Sequence, residues 1–123
     1  MYHYETKLGL TEYYWNEPDD CGRQEKFDKQ KEKLGFDDRE IWNLDCTFVA
    51  WVYPRLKRYI KVTKGSHPGC FTSYKPWKKI LKQIVKGFEI FLKSDGNTTS
   101  VKDNEAIDKS FELFSQYIRT LWC

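Results

Sequence analysis

The chain has 123 residues, one domain's worth of polypeptide, with 40% hydrophobic and 17% aromatic residues to build a small core. Charged residues make up 32%, too many for a membrane protein and too well mixed with aromatics for a disordered one. The net charge of +3 conceals a division: residues 1–52 carry −5, residues 53–93 carry +10 and residues 94–123 carry −2. Asymmetry of this kind concerns partners more than folding.

No apolar run approaches the roughly 18–20 residues that span a bilayer. The opening Met-Tyr-His-Tyr-Glu-Thr-Lys is neither basic nor followed by an apolar block, so no secretory signal is read and a cytosolic protein is expected. Cys21, Cys46, Cys70 and Cys123 are accordingly expected to be reduced. Cys21, Cys46, His67 and Cys70 could supply four zinc ligands, yet they lack the close pairs that mark such sites. No metal and no cofactor are expected.

In chain order, Tyr2, Tyr4, Thr6 and Leu8 alternate as one face of a short strand, with Thr11–Trp15 able to pair across Gly9. Glu17–Gly22 reads as a turn. Arg23–Leu34 is a charged helical segment with only Phe27 and Leu34 as apolar anchors, ending at Gly35. Asp37 and Glu40 have capping-box spacing, Phe36 and Ile41 staple spacing, and Asn43 offers a second N-cap.

From there Leu44, Phe48, Val49, Val52, Leu56, Tyr59 and Ile60 predict one apolar face of a long helix. Pro54 predicts a kink in it, because it removes a backbone donor and crowds the preceding turn. Ser73 caps the next helix, with Pro76 in its first turn and Trp77, Ile80, Leu81, Ile84, Val85, Phe88, Phe91 and Leu92 on its inner face. After Asp95-Gly96-Asn97, Ser100 or Asp103 starts the last helix. There Ile107, Phe111, Phe114, Ile118 and Leu121 repeat at 4, 3, 4 and 3. The expected fold is all-α: an antiparallel three-helix bundle over residues 35–123, kinked in its first long helix. An N-terminal arm, residues 1–34, adds a short hairpin and a short helix.

The basic lane is the main functional signal. Lys75, Lys78, Lys79, Lys82 and Lys86 occupy one flank of the second long helix, and Arg55, Lys57, Arg58, Lys61 and Lys64 follow Pro54 on the first. Antiparallel packing would gather part of both sets at one end, a surface suited to a phosphate backbone. Engaging about six phosphates would give a single-strand salt slope of roughly −4. The competing account is that these lysines merely solvate two helices. Arg55 and Arg58 could instead pair with Asp45, Asp108 or Glu112, which makes the lysines of the second long helix the better ligand candidates. Tyr2, Tyr4, Tyr13, Tyr14 and Trp15 could stack bases, though covering a thin bundle is their simpler role. Trp42, Trp51, Trp77 and Trp122 read as core or rim. His3 and His67 are the only histidines, and no recognisable nucleophile or phosphate loop accompanies them, so no enzymatic activity is expected.

Several stretches also carry a likeness: Gly35-Phe36-Asp37-Asp38-Arg39-Glu40-Ile41-Trp42-Asn43-Leu44-Asp45, Pro54-Arg55-Leu56-Lys57-Arg58-Tyr59, Trp77-Lys78-Lys79-Ile80-Leu81, Gly87-Phe88-Glu89, and Phe111-Glu112-Leu113-Phe114 with Leu121-Trp122. In that order they resemble a family of small tailed-phage and prophage accessory proteins, over about residues 35–123. Ser110-Phe111 stands where the family pattern has Gly-Leu. The resemblance implies a phage-derived accessory protein acting in the host cytoplasm. Such proteins are often inhibitors of host defence, and the sharpest expectation is an anti-CRISPR protein binding a CRISPR effector nuclease, its guide RNA, or both. A protein–protein adaptor or phage structural component, and a scavenger of a nucleotide signal, are the alternatives.

Overall fold

A computed structural model of the chain describes residues 18–122 in full and residues 3–5 and 11–13 as paired backbone. The described residues build an all-α helical bundle with a small hairpin before it. The chain falls into two compact units, Met1–Trp51 and Val52–Cys123, so residues 35–51 group with the N-terminal segment. The roles weighed for the side chains of Tyr2, Tyr4, Tyr13, Tyr14 and Trp15 lie outside the described residues.

In the first unit β1 (His3–Glu5) pairs antiparallel with β2 (Thr11–Tyr13), Tyr4 opposite Glu12. The Asp19 carboxylate then accepts the backbone N–H groups of Cys21 at 3.2 Å and Arg23 at 2.7 Å, closing the turn that leads into α1 (Gln24–Leu34). Gly35 ends α1 at φ 84°, a left-handed conformation that glycine adopts without a Cβ penalty, and its N–H donates to the Lys31 carbonyl at 2.9 Å. Of the two expected anchors, Phe27 is buried but Leu34 is 54% exposed.

The capping box before α2 (Arg39–Trp42) forms only in part. Glu40 accepts the Asp37 N–H at 2.8 Å, but the Asp37 carboxylate turns to Arg39. It accepts from the Arg39 backbone N–H at 2.9 Å, from Nε at 3.1 Å and from Nη2 at 2.8 Å. Both side chains are buried, the Arg39 guanidinium lies 4.4 Å from the centroid of the Phe27 ring, and Trp42 meets that ring edge-on. Phe36 and Ile41 remain about half exposed, so the expected staple buries little. The cement of this turn is a paired charge laid on an aromatic face.

The long helix α3 (Leu44–Val62) starts after Asn43, whose carbonyl accepts the Thr47 N–H at 3.0 Å, and runs on through Pro54. Val49, Val52 and Leu56 are buried as expected, whereas Leu44 and Phe48 are exposed. The buried stripe is rotated toward Cys46, Ala50 and Tyr53, smaller or flatter groups that fit a tighter interior. Asp45, expected near the apolar side, is exposed in the first turn, where a carboxylate complements the helix dipole.

In the second unit α4 (Tyr74–Ser94) and α5 (Val101–Tyr117) form the closely spaced pair. Ser73 is the N-cap residue of α4, and the Ser100 hydroxyl caps α5 by accepting the Asp103 N–H at 3.2 Å. Phe88 packs on Phe114 and Phe111, and Phe91 packs on Phe111, with centroids 5.0–5.8 Å apart. Rising numbers on one helix thus meet falling numbers on the other, the antiparallel register. At the crossing, a Cβ on Gly87 would stand 2.6 Å from the Ala106 carbonyl oxygen and closer still to the Ser110 side chain. Ser110 is fully buried, and its hydroxyl donates to the Ile107 carbonyl at 2.6 Å. At the far end Phe71, Trp77 and Tyr117 form a three-ring cluster.

The last helix is shorter than its periodicity predicts. It gives way at Ile118–Thr120 to a 3-10 turn, which changes the period and leaves Ile118 about half exposed. The tail returns to α3, where the Tyr59 hydroxyl donates to the Trp122 carbonyl at 3.0 Å. Of the four tryptophans read as core or rim, only Trp77 is core; Trp42, Trp51 and Trp122 are exposed by half or more.

Two consequences are measurable. Gly87→Ala should lower stability by about 1–3 kcal/mol in urea denaturation, the range for overpacking. Adding Ser110→Gly should restore only part, because the Ala106 carbonyl stays in place. Burial pushes the Asp37 carboxyl up, but hydrogen bonds and charge from Arg39, helped by Lys31, hold it below its ordinary value of 3.8. Its contribution is therefore complete above that value and is lost as pH falls through the lowered native one. Asp37→Asn, which leaves Arg39 buried and uncompensated, should cost about 3–5 kcal/mol at neutral pH and flatten that part of the acid dependence.

Candidate nucleic-acid interface

The inner face of α4 determines what its outer face can be. With Trp77, Leu81, Ile84, Phe88 and Leu92 buried, a rotation of about 100° per residue turns Lys75, Lys78, Lys79, Lys82 and Lys86 onto the opposite flank. All five fall within an arc of about 100°. Lys78 is half-buried, its ammonium 6.0 Å from the Tyr74 ring centroid, and the other four are exposed. With Pro76 and Gln83 they line an open depression of about 750 Å³. Its walls come from one helix, with ammonium groups at the tips of aliphatic stems.

These charges are not spent internally. Among the described residues, the ion pair on α4 is Lys93 with Glu89, at 3.0 Å, and none of the five lysines has a carboxylate at ion-pair distance. Glu89 is the one acid in the basic segment. The hydrogen bond from Lys93 holds its carboxyl below the usual range; burial opposes this, and the charges of Lys86 and Lys57 add to it. Lys57 of α3 therefore acts on the same carboxylate as Lys86 of α4.

The basic residues of α3 do not stay together. Lys57 and Lys61 share one flank and Lys64 lies past the helix end, whereas Arg55 is turned about 200° from Lys57 and Arg58 about 100° from it. Lys57 and Lys61 are thus candidates for the same field as the α4 lysines, while Arg55 belongs to another side of its helix. Among the described residues Arg58 has no ion pair, and Glu112, weighed as its partner, pairs with Lys109 at 3.5 Å. Lys57 also lies 5.4 Å from the Tyr53 ring centroid.

The remaining chemistry is modest. The group of three metal-ligating side chains among the described residues is Asp19, Asp20 and Cys21. Asp19 already accepts the Arg23 guanidinium at 3.0 Å besides its two backbone donors, so the turn itself accounts for the cluster. Among the described residues Cys21 and Cys70 are exposed thiols and Cys46 is buried in α3. His67 is exposed between α3 and α4, its Nδ1 3.0 Å from the Pro68 carbonyl oxygen. Beside it Tyr59, Trp77 and Trp122 border a small cavity of about 30 Å³.

Sequence reasoning placed the lysine flank but overlooked Glu89 as a local brake on its field. Its lone position among eleven bases was the available signal. Glu89→Gln should tighten binding of a single-stranded polyanion by roughly two- to five-fold at low salt, the Coulomb worth of one nearby charge. Fluorescence titration with poly(U) reads this directly. Among the described residues no helix is long and apolar enough to cross a membrane. No family model, curated protein or solved structure matches the chain.

Proposed function

We propose that this chain is a phage-derived, non-enzymatic inhibitor of a host defence complex, acting by laying the lysine flank of α4 along the phosphate backbone of that complex's RNA. The sharpest form is an anti-CRISPR protein engaging an RNA-guided nuclease through its guide. The observation that carries the reading is the arc of Lys75, Lys78, Lys79, Lys82 and Lys86 on one flank of α4, none of them ion-paired with a carboxylate among the described residues. The phage and host-defence part rests on the sequence resemblance alone.

The shape of the depression discriminates between polyanions. Walls from a single convex helix suit a chain of phosphates running over it and give a small nucleotide no enclosure, which disfavours a scavenger of a nucleotide signal. A protein adaptor remains the second reading, favoured by the exposure of Leu44, Phe48 and Trp51 on α3.

Five backbone contacts on a single strand give a slope of log K against log salt near −3.5, at roughly −0.7 each. Reversing Lys78, Lys79, Lys82 and Lys86 to glutamate should abolish both poly(U) binding and inhibition of the nuclease while the circular dichroism of the helices stays unchanged. Full inhibition by that variant would end the proposal. Loss of inhibition with RNA binding intact would move the contact onto protein.

A further inference from the structure

The tail after α5 places one large ring where the core has no use for it. The 3-10 turn at Ile118–Thr120 redirects the backbone, with the Thr120 hydroxyl donating to the Tyr117 carbonyl at 2.7 Å and the Leu121 N–H to the Ile118 carbonyl at 3.3 Å. The Tyr59 hydroxyl then donates to the Trp122 carbonyl at 3.0 Å. Trp122 is thus tied down through its backbone, yet the residue is 74% exposed, the most of any large hydrophobic group among the described residues. Phe71, Trp77 and Tyr117 pack their rings on one another, whereas the Trp122 indole joins no ring cluster among the described residues.

This indole adjoins the lysine flank within the second unit. It borders the small cavity beside Trp77, and Trp77 stands in the first turn of α4 between Pro76 and Lys78, which both line the lysine depression. Around the helix Lys78 is turned about 100° from Trp77 and Lys82 about 140°, so Lys78 stands between the Trp77 side of α4 and the rest of the arc. The span from one side to the other is the thickness of a helix, roughly 10 Å. We propose that Trp122 is a stacking platform for an unpaired base of a single-stranded nucleic acid whose phosphates follow the α4 lysines. The inference rests on the lysine-flank reading and adds to it the kind of strand, single and not duplex.

The two features together define the occupant. The charge of +10 over residues 53–93 calls for an anionic partner, and the indole calls for one with flat apolar faces. A single strand of nucleic acid carries both. Lysines alone attract any polyanion, duplex and polyphosphate included, because a phosphate contact carries no information about bases. A ring at the margin of that field adds a contact open only to a base whose face is free, and bases inside a duplex have theirs covered by neighbours. Tryptophan on a fixed backbone turns about two side-chain bonds only, so little freedom is lost when a base stacks on it.

The test is equilibrium binding to the nuclease-treated full chain of three probes: an unstructured oligonucleotide of adenine and cytosine about 12 nucleotides long, an RNA duplex of that length, and inorganic polyphosphate. Trp122→Ala should weaken oligonucleotide binding by about 10-fold, the worth of one stacked base, and leave duplex and polyphosphate binding within about two-fold. Trp122→Phe keeps a ring and should stay within about three-fold of the parent on the oligonucleotide. The slope of log K against log salt should be the same for the parent and Trp122→Ala, since no phosphate contact is removed. The fold uses the carbonyl of Trp122 in its hydrogen bonding, so circular dichroism should not change. Equal weakening on all three probes overturns the stacking role while the lysine contact stands, as does an oligonucleotide indifferent to Trp122→Ala or a Trp122→Phe variant as weak as Trp122→Ala. A parent that binds none of the three probes overturns both.

Discussion

The second unit depends on how closely α5 can approach α4, and that distance is set where Gly87 faces Ser110. A glycine inside a helix costs about 1 kcal/mol relative to alanine. Here the missing Cβ admits the Ser110 side chain and the Ala106 carbonyl. Close approach lets Phe88 and Phe91 reach Phe111 and Phe114 across the crossing, and it keeps the Ser110 hydroxyl buried on a backbone acceptor. Once that face is committed inward, the rotation of the helix leaves the lysines nowhere to go but out. The candidate interface is in this sense a by-product of the core.

The first unit uses a different device. Its helices are short and charged, and α1 contributes one fully buried apolar ring, Phe27. The Asp37–Arg39 pair supplies what the apolar groups do not, a bidentate charge-assisted link that lies on that ring. Such a pair contributes little over a well-packed apolar replacement but is severe to break, because either member alone would be a buried unpaired charge. It therefore specifies the turn between α1 and α2 more than it stabilises it.

Charge and exposed apolar surface are divided by face. The charge of Lys57 reaches Glu89 on α4, as that of Lys86 does, while Arg55 and Arg58 lie on other sides of α3. The five positive charges Arg55, Lys57, Arg58, Lys61 and Lys64, close in sequence, therefore do not form one surface. Lysines with hydrated ammonium tips suit a mobile, salt-sensitive contact with phosphate, and arginines beside aromatic rings suit a fixed, stacked one.

Periodicity, caps and turn residues by themselves determined much of this protein: the end of α1 at Gly35, the start of α4 at Ser73, the start of α5 to within Ser100 or Asp103, the inner face of α4 and hence the lysine flank. These follow from local physics, since a cap or a helical face is defined within a few residues. Tertiary structure alone decided what depended on distant neighbours. Arg39 entered the core because Asp37 and Phe27 were there to receive it, and Leu44 and Phe48 left the core because α3 turned its smaller groups inward. The passage of α5 into a 3-10 turn before Leu121 likewise runs against a clean apolar period. A hydrophobic pattern says that a face can be buried, and only the packing partner determines which part of it is.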